Sequence, residues 1–333
     1  MRRRLRAALL AAALLVSMAA GAQIRGALPM ELAPGPLAPE LKQNIRLLGM
    51  LDLSPFKERI PALVELSGLA WDADEKVLYA ISDRGYLIHL KPHFADGRLA
   101  DVTTVAHYAL RNRHGQPLKG KAADAEGLTA VNQANAIPGD THLLIAYERQ
   151  HRIDAHRPDG TYLHAHRLPP ALSAAGAYRS RNKGMEALAV HPQLGLAAAP
   201  EWPLRGTADT HNTLYFADGT TIALPRLDAR NAGLVAMEAL PDGRLLILER
   251  AHSWLTLTLI VTLRISEPVL KPMNSKPMNS VPSREVARFD SALGWRVDNF
   301  EGLSRHEDNK FFLVSDDNGS GLQKTLLLYF EIP

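Results

Sequence analysis

The chain has no cysteine among its 333 residues, which excludes disulfides, a thiolate nucleophile, thiolate metal sites and lipid attachment through cysteine. Stability must then come from packing or from bound ions. Sustained helical periodicity is also missing; the best helical candidate, near Leu172 to Tyr178, is short. There is no GxSxG elbow, so a serine hydrolase of the α/β type has no nucleophile site, and the thirteen histidines contain no HExxH. Neither sign of charge dominates: 38 Lys and Arg stand against 35 Asp and Glu, and several of the basic residues fall in the first six positions. No basic stripe with interleaved aromatics occurs, which argues against nucleic acid as a partner.

The opening MRRRLRAALLAAALLVSMAAGAQ has a basic stretch, an apolar stretch from Ala7 to about Met18 and the small-residue pattern Ala20-Gly21-Ala22. It reads as a signal peptide over residues 1–22. The apolar stretch falls short of the roughly 20 residues a spanning helix needs, so no membrane anchor is expected after cleavage. The arginines match a twin-arginine signal only loosely, which favours a Sec-type route to the periplasm or beyond. Residues 23–43, with Pro29, Pro34, Pro36 and Pro39, read as an extended leader, and residues 44–333 as one domain.

Within that domain the chain repeats. Ser67-Gly68-Leu69, Glu126-Gly127-Leu128, Glu186-Ala187-Leu188, Glu238-Ala239-Leu240 and Glu301-Gly302-Leu303 start 59, 60, 52 and 63 residues apart. A period near 60, punctuated by turn signals such as Asp159-Gly160, Asp218-Gly219 and Pro241-Asp242-Gly243, fits a blade of several short strands in an all-β propeller. Only 33 residues remain from Glu301 to the end, too few for a full repeat. The apolar IRLLGMLDL, opening residues 45–66, supplies the missing strand and ties the ring shut, which removes exposed sheet edges. Five blades are expected; six is the alternative if the interval 238–301 hides a degenerate blade. The doubled KPMNSKPMNS at 271–280 reads as an exposed loop expansion.

Each triplet is followed by a turn and an apolar strand ending in a second acid: Asp83, Glu148, Glu201, Glu249 and Asp316. The midpoints of Ser67 with Asp83, Glu126 with Glu148, Glu186 with Glu201, Glu238 with Glu249 and Glu301 with Asp316 all fall in turns. Opposite residues of an antiparallel hairpin share a face, with Cβ atoms about 4.5–5.5 Å apart, give or take a residue for bulges. Nine carboxylates and one hydroxyl would therefore ring one mouth of the channel. The Gly or Ala after each acid would let the neighbouring blade approach near the axis. So many acids need a cation among them, or some must hold a proton. Two cation sources are open: a divalent ion, Ca²⁺ suiting a purely carboxylate donor set, and internal cations, Arg84, Arg149 and Arg250 after second acids, with Arg181, Lys183 and Arg296 just before first ones. A purely structural ion-pair ring is the competing reading.

ELSGLAWD at 65–72, ISDRG at 81–85, DAEGLTA at 124–130, NKGMEALAV at 182–190, MEALPDGRLLILER at 237–250 and NFEGLS with LVSDDN at 299–318 together resemble the family of esterase-like activity of phytase, phytase-like propellers of exported bacterial proteins. The resemblance implies an exported propeller that hydrolyses ester or phosphoester bonds of a small molecule. Departures are Ser67 in place of an acid, and Ala for Gly in two repeats. On this reading Asp83, Glu126, Glu148, Glu186, Glu201, Glu238, Glu249, Glu301 and Asp316 are metal-ligand candidates, and Glu186, Glu238 and Glu301 are the catalytic ones. Lys183, Arg149, Arg250 and Arg84 are anion contacts, and the protein is expected to be a monomer. A non-catalytic propeller that binds a ligand or partner at its mouth is the alternative.

Other motifs carry less. RNRHGQP at 111–117 has part of the RHGxRxP pattern of histidine acid phosphatases but lacks the second Arg, and reads as a loop. His164 and His166 share a strand face and read as a surface pair; Trp71, Trp202, Trp254 and Trp295 read as packing residues.

Overall fold

The computed structural model describes residues 27–32, 44–253, 256–269 and 280–333. The signal peptide, most of the leader, Trp254 and all but the last residue of the KPMNS repeat lie outside the described residues. Five antiparallel sheets are arranged as a five-bladed propeller. Blade one is Leu66–Asp72, Val77–Ser82, Tyr86–Ala95 and Arg98–Ala109. Blade two is Ala125–Val131, His142–Tyr147, Arg152–His156 and Tyr162–His166, and blade three Met185–His191, Gly195–Pro200, His211–Phe216 and Thr221–Pro225. Blade four is Ala232–Ala239, Leu245–Ser253, Thr258–Ser266 and Ser283–Asp290. It accounts for the long interval before Glu301, so the six-blade alternative falls away.

Blade five is built from both ends of the chain. Asn299–Glu307, Lys310–Asp316 and Leu326–Glu331 are completed by Arg46–Asp52, which pairs antiparallel with Leu326–Glu331, and the leader adds Leu28–Pro29 outside it. An Arg46–Glu331 ion pair and one between Lys324 and Asp52 sit at the two ends of the closing seam.

Each blade lies between two others, so both faces of its inner strands are buried and the strands read as nearly unbroken apolar runs. In Val77–Ser82, Leu78 and Ala80 face the core shared with blade five, while Tyr79 and Ile81 face the core shared with blade two. Equivalent cores fill the other three interfaces. Close approach at the axis requires small residues. A Cβ on Gly127 would lie 2.6 Å from the Glu186 carbonyl oxygen, and one on Gly68 would lie 2.8 Å from the Leu128 Cβ. Among the described residues no helix is long and apolar enough to cross a membrane.

Candidate functional site

The five innermost strands carry a β-bulge at the same place. Register shifts at Ser67, Glu126, Glu186, Val235 and Glu301, the residue between the paired Leu66/Gly68, Ala125/Gly127, Met185/Ala187, Leu234/Ala236 and Phe300/Gly302. Those five residues line the axis, where the channel narrows to about 10 Å³, room for about one water. The bulge moves the partners of the second acids two residues back. Asp83 donates its N–H to the Glu65 carbonyl, Glu148 to Asp124 and Glu201 to Gly184, at 3.0, 2.9 and 2.8 Å, while Asp316 pairs with Asn299 and Arg250 with Gly233.

Blade four corrects the expected ring. The residues equivalent to the acids of the other blades are Val235 and Arg250, not Glu238 and Glu249. Glu249 pairs with Leu234, points away from the axis and is fully buried. There it accepts from Asn212 Nδ2 at 2.8 Å and the Leu227 N–H at 2.9 Å, with Arg264 at 3.7 Å. Glu238, three residues past Val235, lies at the opposite mouth, in a cavity of about 140 Å³ with Trp71, Gln133 and His306, and accepts the Arg305 N–H at 3.1 Å. Burial pushes it up to about 7. The sequence reading missed two carboxylates that take their places in the ring, Glu65 and Asp124. The only trace was that each stands two residues before a bulge residue.

Each second-strand residue leans over the start of the next blade. A Cβ on Gly184 would lie 2.6 Å from Glu148 Cγ, and one on Gly233 2.6 Å from Glu201 Cγ. Gly184 also donates its N–H to Glu148 at 3.1 Å. Cations serve part of the ring. Arg84 pairs with Glu65, Arg149 with Asp124 at 2.9 Å, and Lys183 with Glu201 at 2.6 Å. Arg250 reaches Glu301 at 2.5 Å and Glu201 at 3.7 Å. Glu126, Glu148 and Glu186 have no ion pair among the described residues. They belong to two overlapping groups, Asp124 with Glu126 and Glu148, and Glu148 with Glu186 and Glu201, whose oxygens lie within 4.8 Å of one another.

Proton affinities rise on both sides of this division. Burial, then the neighbouring carboxylates, holds Glu126 and Glu186 well above the usual carboxylate range. Burial raises Glu148 to about 7 against the pull of the Gly184 N–H, and Glu301 to about 8 against the pull of Arg250. Asp316 rises to about 6, and Asp83 to about 8 through burial and then the Glu65 carboxylate beside it. The Arg84 hydrogen bond holds Glu65 low. A hard metal ion fits this donor set, which is carboxylate oxygen without nitrogen or sulfur, compact, and costly to hold as bare anions.

Beside the ring, between blades one and two, opens a cleft of about 600 Å³ lined by Glu65, Asp83 and Asp124, by Arg84, Lys119, Lys121 and Arg149, and by Tyr86, Pro117 and Leu118. Its outer wall is the connection from Leu110 to Asp124, the loop that holds RNRHGQP. His114 sits at the exposed tip of that loop, where Asn112 Oδ1 accepts the His114 and Gln116 N–H groups. His164 and His166 lie on the outermost strand of blade two, ring centroids 4.9 Å apart. Trp71 packs on His306, and Trp295 on Phe289; Lys183 Nζ sits 5.6 Å from the Trp202 ring.

A five-bladed propeller with an acidic ring at one mouth and a charged cleft beside it defines the class. The sequence model of the family described as "Esterase-like activity of phytase" (Phytase-like) matches residues 61–319, and the chain belongs to that family. No curated protein matches. Among solved structures, a gluconolactonase from Xanthomonas campestris is similar at 11% identity over 93% of this chain and 98% of that one, with a TM-score of 0.40. The structure of U3-55K is similar at 9% identity over 76% and 75%, with a TM-score of 0.36.

Proposed function

We propose that this protein is an exported, monomeric, divalent-cation-dependent hydrolase of small phosphoesters or esters, acting at the acidic mouth. One observation carries the reading: Asp124, which lines a cleft walled by arginines and lysines, groups with Glu126 and Glu148, and Glu148 in turn with Glu186, three glutamates that form no ion pair among the described residues. Glu148, shared by both carboxylate groups, with Glu126 and Glu186, would hold the ion. Bound Ca²⁺ would supply neutralisation of phosphate charge and a more acidic water. Arg84, Arg149, Lys119 and Lys121 orient the phosphate oxygens by charge-assisted hydrogen bonds. Asp83 lines the cleft, and its Oδ1 has no hydrogen-bond partner. Protonated near neutrality, it gives its proton to the departing ester oxygen and regains one from the attacking water. One P–O bond forms to the water oxygen and one breaks to the alcohol oxygen, so that ester and water become alcohol and phosphate. Lys183 and Arg250, paired with Glu201 and Glu301, serve the ring and not the substrate.

A screen of phosphomonoesters and simple esters with added Ca²⁺ or chelator tests the reading, together with Glu148→Gln, Glu186→Gln and Asp83→Asn. Turnover that needs the cation and disappears in folded variants is expected. Absence of turnover in every condition favours the second reading, a binding propeller. The ion pairs at Glu65, Asp124, Glu201 and Glu301 are what support a scaffold role. Export is tested by fractionation and amino-terminal sequencing, which should find the mature chain starting at Gln23.

A further inference from the structure

The cleft is two-sided, and this bears on what enters it. On the side toward the ring stand the acids and the two arginines, Arg84 and Arg149, each anchored by a carboxylate. Lys119 and Lys121 are exposed at the rim, and no ion pair engages either among the described residues. The apolar part of the lining is Tyr86 with Pro117, Leu118 and Ala123, the last three on the same connection as the two lysines. Its shape follows from the connection between blades one and two. Leu118 donates its N–H to the Leu110 carbonyl at 2.8 Å, and Arg111 bridges to Pro117, which folds the loop back over the cleft. Gly85, at φ +81°, leaves room for Ala123, whose Cβ would lie 2.8 Å from any Cβ at that position. The position of this segment is therefore set by the backbone path.

We propose that this cleft selects phosphomonoesters of apolar, preferably aromatic, alcohols over polyphosphorylated polyols. The inference rests on the hydrolase reading of the ring. One phosphate at the arginines leaves the rest of a drug-sized body to fill a cavity of about 600 Å³ against Leu118, Pro117 and the Tyr86 ring. A polyol carrying phosphate at every carbon finds only Lys119 and Lys121 beyond the two arginines, and its remaining phosphates would face Tyr86, Pro117 and Leu118 or the acids Glu65, Asp83 and Asp124, which desolvates charge without a partner. An aromatic body loses apolar surface to the same wall. Contacts of that size in a pocket discriminate by about tenfold or more.

Binding of non-hydrolysable probes separates this inference from catalysis. Phenylphosphonate, methylphosphonate and inositol hexakisphosphate are titrated calorimetrically into the Ca²⁺-loaded protein. Phenylphosphonate is expected to bind about tenfold more tightly than methylphosphonate, and inositol hexakisphosphate no better than methylphosphonate. The phenyl advantage should shrink to less than about threefold in Leu118→Asn, or in Tyr86→Ala if the first variant does not melt cooperatively. Equal binding of the two monophosphonates, a phenyl advantage that survives both variants, tightest binding of the hexakisphosphate, or no binding at all overturns the proposal. If phenylphosphonate binds as expected but phenyl phosphate is not turned over, the hydrolase reading fails and the selectivity stands.

Discussion

Blade four and its neighbours answer the same problem in opposite ways. Where the other blades place Ser67, Glu126, Glu186 and Glu301 at the bulge and Asp83, Glu148, Glu201 and Asp316 opposite it, blade four places Val235 and Arg250. Its guanidinium touches Glu301 and approaches Glu201, the acids on either side of it in the ring. That half of the ring is neutralised from within. Glu126, Glu148 and Glu186 form no ion pair among the described residues; Arg250 acts on Glu186 and Lys183 on Glu148 only at a distance, and burial holds the proton affinities of all three high. The difference teaches that the ring is not a repeated ornament of the fold. One side is closed by an arginine, and the other is a carboxylate group of the kind that could hold a metal ion.

Breaking the closed side should have the largest effect. Arg250→Met leaves Glu301 and Glu201 buried without their shared cation, and removing one partner of a buried pair costs about 3–5 kcal/mol. Urea unfolding at about pH 8 measures it, and the loss should be smaller near pH 5, where Glu301 takes a proton, its affinity lying at about 8. An equal loss at both pH values would show that Arg250 acts by packing alone.

Filling the open side comes next in size. Calcium at about one hundred times its dissociation constant should stabilise the protein by about 2.7 kcal/mol. Glu148→Gln, which removes the carboxylate common to both groups, should abolish the gain. A calcium-dependent rise in melting temperature that persists in Glu148→Gln places the ion elsewhere.

The chelated protein should show the raised affinities as a pH dependence. Carboxyls whose folded affinity is raised hold protons that the unfolded chain releases near pH 4. Their contribution to stability is therefore complete below that pH and is lost as pH rises through about 6 for Asp316, 7 for Glu148 and 8 for Asp83 and Glu301. Glu65, held low by Arg84, works in the other direction and weakens the fold only as pH falls below its unfolded value. Thermal melts in chelator should fall from about pH 5 to pH 8, and Ca²⁺ should flatten the curve. A flat curve in chelator contradicts the raised affinities.

The smallest effect belongs to Glu238→Gln at the far mouth, which sits away from the ring and keeps an oxygen for the Arg305 N–H. Its stability should change by no more than about 0.5 kcal/mol, with the calcium response intact.

Much of this was legible in the sequence. The period, the blade count, the closing strand at 46–52 and the small residues after the bulges follow from alternation, turn residues and chain length. What misled was chemical likeness in blade four, where Glu238-Ala239-Leu240 imitates the triplets while the residues in register are Val235-Ala236-Met237. Spacing carried part of the signal: Glu186 to Glu201 and Glu301 to Asp316 are both 15 apart, as are Val235 and Arg250, whereas Glu238 and Glu249 are 11 apart, but Ser67 to Asp83 at 16 and Glu126 to Glu148 at 22 blur the rule. Glu65 and Asp124 escaped because a bulge shifts pairing without leaving any residue type that announces it. The sequence named Arg84 and Arg149, but the rest of the cleft was hidden for another reason: its lysines, Pro117 and Leu118 come from a connection with no periodicity, whose path only the neighbouring blades determine.

Anomalous difference density from a crystal grown with calcium puts the central claim to its most direct test. The expected result is a peak in contact with Glu148 and with Glu126 or Glu186. Density confined to other carboxylates, or a ring that stays free of metal at saturating calcium, would contradict it.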